Sequence, residues 1–216
     1  MDPEENLDLS RLEQAVRADI DRERGLGAWL RSGSRALRFA LALAFGVGVA
    51  LLTLVAYARR DLDTYPLARM CVTLGWFGVA AGVSAWLALR PIYLPRPDAR
   101  LVAAVAVFAL LGPVVTALWP AAPAASGLAL GHAYSCFIIG TSVGLAALLF
   151  ARALDRGGAH GVGQMVLAAV AAGLVGTVAL QVHCPNNYPM HLLLGHATVP
   201  VGLVAGTLLA RRFGKR

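Results

Sequence analysis

Polar and apolar positions divide this chain into six long apolar runs joined by short polar connectors. Each run has about 20 residues without Asp, Glu, Lys or Arg, and about 20 residues of helix cross the hydrocarbon core of a bilayer. The runs are continuously apolar rather than alternating, which favours helices over a transmembrane β-barrel. The pattern therefore predicts six transmembrane helices, at residues 39–57, 70–89, 101–119, 128–151, 161–182 and 190–210.

A different pattern precedes the first run, between residues 8 and 24. Ser10 and Glu13 can form a capping box there, and Glu13 can pair with Arg17 one turn later. The polar face mixes acidic and basic residues, unlike the basic face of a helix that lies on lipid. We therefore expect a short amphipathic helix that binds a partner's groove or packs beneath the bundle. Its apolar stripe would consist of Leu9, Leu12, Val16 and Ile20.

Composition and charge place these elements in a membrane. Hydrophobic residues make up 58% of the chain and charged residues only 14%, compared with about 25% charged residues in a soluble domain. All of the 19 Lys and Arg residues except Arg59, Arg60 and Arg69 fall on one side of the predicted bundle. The positive-inside rule then makes both termini cytoplasmic, and the basic composition needs no direct nucleic-acid binding to explain it.

The predicted fold is therefore an all-α integral membrane protein with six transmembrane helices and both termini inside, preceded by a short cytoplasmic amphipathic helix. Residues 1–38 would form a cytoplasmic partner-binding segment, residues 39–210 the transmembrane domain in contact with membrane lipids, and residues 211–216 a cytoplasmic basic tail.

This topology collects most of the candidate chemistry on the outer side. The connector VHCPNNYPMH, residues 182–191, lies between the fifth and sixth runs, and only His160 among the histidines is cytoplasmic. The outer side would carry Cys71, His132, Cys136, His183, Cys184, His191 and His196.

Three interpretations of the outer cysteines stay open. Cys136 and Cys184 can form a disulfide, because Pro185 and Pro189 break the helix and let Cys184 fold back over the start of the fourth run. The two thiolates can also sense a redox change or bind a zinc or copper ion. Alternatively, both are small buried residues without special chemistry.

Only two of the outer histidines are candidates for a redox-sensing or metal-binding site with these cysteines. His132 shares a helix face with Cys136 at i, i+4, and His183 adjoins Cys184, so both are further candidates for the sensing site. His191 and His196 are five residues apart and are expected not to share a helix face, which favours an interfacial role for both. Cys71 is expected to be a packing residue.

Other function classes find little support in the sequence. No Walker motif, nucleophile elbow or paired carboxylates occur, and none of the predicted helices has an acidic residue in its interior. An enzyme is disfavoured because these motifs are absent. An ion transporter is disfavoured because transport routes use intramembrane ionisable groups. The alternative is a membrane redox, metal-binding or haem protein that uses the outer His and Cys residues.

The two cysteine contexts, SCFIIG at 135–140 and VHCPNNYPMHLLLGH at 182–196, resemble the NrsF family of membrane anti-sigma factors. The six runs and the short N-terminal helix are similar to that family too, so the resemblance covers nearly the whole chain. Myxobacterial light-response anti-sigma factors that regulate carotenoid synthesis have a similar six-helix design. This chain departs from the expected pattern at Leu194, Gly195 and His196, where an aromatic pair is expected after the HCP motif.

The resemblance implies a function as well as a fold. Residues 8–24, including Arg17 beside the apolar stripe, would hold an extracytoplasmic-function sigma factor at a bacterial inner membrane. Cys136 and Cys184 would respond to a metal, redox or photo-oxidative signal in the periplasm, and the sigma factor would then be released. No catalytic residues are implied.

Overall fold

The computed structural model describes residues 13–14, 16–17, 33–91, 94–119, 130–154 and 161–213, and within these ranges it contains helices and no strands. Six long helices overlap the six apolar runs, and all are long and apolar enough to cross a membrane. This is the architecture expected of a multi-pass membrane protein. The helices are α1 Arg35–Tyr57, α2 Leu67–Ala88, α3 Ala99–Leu118, α4 Leu130–Ala153, α5 Val162–His183 and α6 Pro189–Phe213.

Helix α5 is the centre of the bundle and contacts all five other helices. In its most apolar stretch 72% of the residues are buried. Glycines allow the close contacts: a Cβ atom at Gly176 would lie 2.1 Å from the carbonyl oxygen of Gly140 on α4. A Cβ atom at Gly173 would lie 2.3 Å from Cα of Pro200 on α6. Helices α4, α5 and α6 therefore pack backbone to backbone, as small residues permit between membrane helices.

Helix α1 lies at the periphery. None of the residues in its most apolar stretch is buried, and Leu52 and Val55 are 69% and 85% exposed. Apolar side chains this exposed are suited to contact with lipid chains rather than water.

Helix α6 is irregular near its start. It begins at Pro189, continues as a π-helix over Leu192–Ala197 and becomes α-helical over Thr198–Phe213. Pro200 has no N–H to donate to the carbonyl of His196 four residues earlier, and Thr177 Oγ1 on α5 donates to that oxygen at 3.3 Å.

The alternating helices give the bundle two ends. The "Cys/His end" includes the connectors 58–66 and 184–188. The "basic end" carries Arg35, Arg38, Arg90, Arg96, Arg100, Arg152, Arg211 and Arg212. Which end faces the cytoplasm stays a prediction.

The N-terminal segment is described only in part. Glu13, Gln14, Val16 and Arg17 are helical and exposed, and Arg17 Nη2 contacts Glu13 Oε1 at 2.7 Å, which is the expected i, i+4 pair. The rest of the predicted helix, with Leu9, Leu12 and Ile20, lies outside the described residues, as does His160.

Candidate metal centre

Four buried side chains converge at the Cys/His end. Each of Cys136, Cys184, His191 and His196 offers one potential ligand atom, and these four atoms all lie within 4.8 Å of one another. The Sγ atoms of Cys136 and Cys184 are 3.7 Å apart, and Cys184 Sγ is 3.2 Å from Nε2 of His191. We call these four residues the Cys/His cluster. Both thiols are free.

Cys136 enters the cluster from the second turn of α4. It belongs to a buried stripe with Ala133 and Gly140, at the spacing of one helix face. Gly195 of α6 faces this stripe: a Cβ atom there would lie 3.0 Å from the Ala133 carbonyl oxygen and 3.3 Å from Cys136 Cβ. The glycine thus lets the π-helical turn approach Cys136 closely.

Cys184 enters from the C-terminal end of α5. Its N–H donates to the Leu180 carbonyl at 2.8 Å, and its backbone is extended, with φ −85° and ψ 118°. A residue before proline is disfavoured in the helical region, so Pro185 ends α5 at this position. The chain then turns back, as expected, and brings the Cys184 thiol over the start of α4.

His191 and His196 both project from the start of α6, and their burial overturns two expectations. They are 0% and 3% exposed, so the prediction of interfacial histidines is wrong. Their ring centroids are 5.4 Å apart, so the expectation that they point to different faces is wrong as well. In a π-helix the backbone bonds join residues i and i+5, which brings side chains five positions apart closer to one face than an α-helix does.

The cluster has nitrogen atoms that the protein itself does not satisfy. Within the described part of the chain, Nδ1 of His191 and both ring nitrogens of His196 have no hydrogen-bond partner. A buried polar group without a partner costs about 1–3 kcal/mol. A metal ion bound by these rings would relieve part of that cost.

The donor set and the spacing fit one tetrahedral ion. Two thiolates bound to zinc at about 2.3 Å in a tetrahedral site have sulfur atoms about 3.8 Å apart, close to the 3.7 Å between Cys136 and Cys184. Two cysteines and two histidines are also a common donor set for structural zinc, and both ligand types bind copper. The cluster can therefore hold a metal ion without large movement of the two thiols.

Hydrogen bonding also prepares Cys184 as a thiolate. The Cys136 thiol donates to Cys184 Sγ, and this bond, together with the one from His191, lowers the pKa of the Cys184 thiol against the opposing effect of burial. The thiolate is the form of cysteine that binds metals and attacks disulfides.

A buried arginine fastens the connector that carries Cys184. Arg59 follows α1, is 3% exposed and pairs through two nitrogens with Asp61 at 2.7 and 2.8 Å. Its Nη2 donates to Asn187 Oδ1 at 3.2 Å, its Nη1 donates to the Gln181 carbonyl at 3.3 Å, and its backbone N–H donates to the Val182 carbonyl at 3.0 Å. Connector 58–66 is thus bonded to residues on both sides of Cys184.

The structure does not bring the remaining candidates into the cluster. His132 is exposed on α4, although Cys136 one turn later is buried. His183 is half-buried and donates from Nδ1 to the Tyr57 carbonyl at 2.9 Å. Cys71 is exposed on α2, so the expectation that it packs in the core is wrong.

Two parts of the site were missed by the sequence reasoning. The i, i+5 spacing of the two histidines does not by itself indicate a π-helical turn. Gly195 and Pro200, which flank His196, were the available sign of an irregular helix. In the sequence analysis Arg59 contributes only to the distribution of basic residues between the two sides of the bundle. Its position between an apolar run and an acidic residue, Asp61, was the available sign of a buried charge pair.

Comparison with known proteins adds nothing to these geometric findings. No protein-family model matches the chain, and no significant match occurs among curated proteins or solved structures. The NrsF resemblance therefore stays a prediction.

Proposed function

We propose that this protein is a membrane-bound anti-sigma factor that binds an extracytoplasmic-function sigma factor through residues 8–24. Release would follow when the Cys/His cluster binds a metal ion or is oxidised. The observation that carries the proposal is the convergence of four buried ligand atoms within 4.8 Å of one another. Cys136 and Cys184 were the two residues expected to sense the signal.

The proposed metal is a zinc or copper ion, because both accept thiolate and imidazole ligands. The proposed redox route is formation of a Cys136–Cys184 disulfide, in which an oxidant takes two electrons and two protons leave the thiols. The sulfur atoms, 3.7 Å apart, need only a short approach to bond. Both signals compete for the same thiolates, so a disulfide would prevent the cluster from binding a metal.

The proposed route to the N-terminus runs through Arg59 and α1. Arg59 joins the connector near Cys184 to the C-terminal end of α1, and His183 donates to the last residue of the same helix. Helix α1 is the least buried of the six and leads back to the segment that would bind the sigma factor. A small movement of the connector can therefore tilt α1 at little packing cost.

Such signalling requires two arrangements of the bundle. A ligand at the cluster can change sigma-factor binding only by its differential affinity for those arrangements. The close packing of α4, α5 and α6 supports a rigid unit against which α1 moves.

The experiment is capture of a sigma factor by the full-length protein in mild detergent from extract of the source bacterium. We expect a sigma factor to be retained, and to be lost in a Leu12→Asp, Val16→Asp variant. Val16 is 49% exposed on the proposed binding stripe. Gln14→Asp, which adds one negative charge on the opposite face, is the control and should retain it. If the wild-type protein retains no sigma factor, the proposal that a sigma factor is its partner is refuted.

The second candidate is a membrane metal or redox protein without a sigma-factor partner. It is favoured by the same cluster, which is complete within the bundle and needs nothing from the N-terminus. A haem is a poor candidate, because His191 and His196 project from the same turn of α6 and cannot bind opposite faces of one porphyrin. A visible absorption band in the purified protein, together with no sigma factor retained in the capture experiment, would favour this second candidate.

A further inference from the structure

A long apolar groove runs beside α1, which also contacts α5 directly. It has a volume of about 320 Å³ and is bordered by α1, α2, α4 and α5. Among its lining residues only Arg152 and Gln164 are polar, and both lie near the basic end. The groove is open along one edge of α1, where the lining residues Leu43 and Val47 are 50% and 49% exposed.

Glycines keep this groove open. A Cβ atom at Gly78 would meet nothing within 4 Å, and one at Gly82 would meet only Phe39 Cζ at 3.9 Å. Within the described residues, side chains therefore leave the space beside Gly78 and Gly82 unfilled. Atoms that line an unfilled apolar space lose dispersion contacts, so an apolar guest is stabilised there.

The mouth of the groove at the basic end is positively charged. Arg152 lines the groove and is exposed. The Arg35 guanidinium lies 3.8 Å from the ring centroid of Trp86, which packs edge-on against the groove residue Phe39. Among the described residues between 33 and 213, Asp98 is the one acidic residue at this end, compared with eight arginines.

We propose that the groove binds one acyl chain of an anionic phospholipid, with the phosphate against Arg152. An acyl chain provides the apolar length, and the phosphate complements the guanidinium group. Basic pockets between transmembrane helices on the cytoplasmic side are known to bind anionic headgroups.

Fluorescence of Trp86 provides the test. The full-length protein retains Trp86 as its one tryptophan, after Phe replaces Trp29, Trp76 and Trp119. It is placed in phosphatidylcholine bilayers that contain a small fraction of brominated phosphatidylglycerol or brominated phosphatidylcholine, with bromine near the ester end of the chain. Bromine quenches tryptophan on contact. We expect saturable quenching by the anionic lipid and only weak, proportional quenching by the zwitterionic one.

Three variants test the assignment of that quenching to the groove. Gly78→Leu with Gly82→Leu fills the space and should abolish the saturable part, whereas Gly48→Leu and Gly75→Leu, which fill open space outside the groove, should retain it. Arg152 is exposed, so Arg152→Gln leaves the packed core unchanged. We expect this variant to weaken binding of the anionic lipid about fivefold, which is the effect of one basic side chain near an anionic surface. Arg212→Gln is its control. Equal quenching by both lipids, or saturable quenching that survives both the groove-filling pair and Arg152→Gln, would overturn the proposal.

Discussion

His191 and His196 lie five positions apart in the sequence yet on the same face of α6, with ring centroids 5.4 Å apart. The π-helical turn Leu192–Ala197 causes this alignment. It aims both imidazoles at Cys136 and Cys184, on α4 and at the end of α5. Rare π-turns inside α-helices often occur at functional sites, and here the irregular turn completes a set of four potential metal ligands.

Inserting an alanine after Leu194 tests the role of this alignment. The Leu194 side chain is 41% exposed, so the insertion disturbs little packing. One extra residue rotates His191 by about 100° relative to His196. We expect Zn²⁺ affinity, measured by competition with a chelator, to fall by at least about 100-fold, beyond the range for groups that only orient ligands.

The length-preserving substitution Leu194→Ala is the matched control and should bind Zn²⁺ as the wild type does. If the insertion variant keeps wild-type affinity while remaining folded in detergent, His191 and His196 do not act together as ligands.

Cobalt binding tests the composition of the cluster. Co²⁺ in a tetrahedral site with two thiolates should give intense visible bands and a sulfur-to-metal charge-transfer band. We expect one Co²⁺ per chain in the wild type. Cys136→Ser, Cys184→Ser and His196→Ala should each weaken or abolish these bands, because each removes one of the four ligands.

Cys71→Ser, which changes the exposed cysteine on α2, should leave the cobalt spectrum unchanged. His132→Ala should do so too, because His132 lies outside the cluster. If His132→Ala changes the cobalt spectrum and His196→Ala does not, the site consists of the residues expected from the sequence alone.

These residues show how far the sequence could predict the site. Cys136 and Cys184 could be paired, because prolines on both sides of the outer connector force the chain to turn back over α4. His191 and His196 could not be added, since an ideal α-helix separates positions i and i+5 by about 140°. The π-helical geometry depends on tertiary contacts, including the approach of Gly195 to Ala133 and the bond from Thr177 to the His196 carbonyl.

Arg59→Met tests the hydrogen bonds that join connector 58–66 to the residues on both sides of Cys184. The variant leaves Asn187 and the Gln181 carbonyl without their charged donor, at a cost of about 1–3 kcal/mol, and should lower the melting temperature. We also expect Zn²⁺ affinity to fall about 10- to 100-fold, the range for groups that orient metal ligands. Arg60→Met, an exposed neighbour, should change neither quantity. Unchanged Zn²⁺ affinity in Arg59→Met would remove Arg59 from the proposed route to α1.

Gly176→Ala tests the backbone packing of α4 against α5. The added Cβ would lie 2.1 Å from the Gly140 carbonyl oxygen, so the helices must separate, at about 1–3 kcal/mol for an overpacked core. We expect a lower thermal unfolding temperature in detergent. Gly48→Ala on α1, where a Cβ meets nothing within 4 Å, should be neutral or stabilising, since alanine favours helix by about 1 kcal/mol. Equal stability of the two variants would contradict the rigid α4–α6 unit.

The six helices themselves could be predicted, because a bilayer imposes a length and an apolar composition that soluble proteins do not share. The arrangement of the helices could not. Nothing in the runs distinguishes the central α5 from the peripheral α1, since both are rich in small apolar residues, and burial within the bundle and exposure to lipid both favour apolar side chains. For the same reason the groove beside Gly78 and Gly82 has no sequence signature.

The central claim is that the Cys/His cluster controls binding of a sigma factor. The direct measurement is the amount of sigma factor that full-length protein in lipid nanodiscs retains before and after addition of Zn²⁺, Cu⁺ or a thiol oxidant. We predict release from the wild type and from Cys71→Ser, and retention by the Cys136→Ser, Cys184→Ser variant under every condition. Equal release from the double variant and the wild type would contradict the claim.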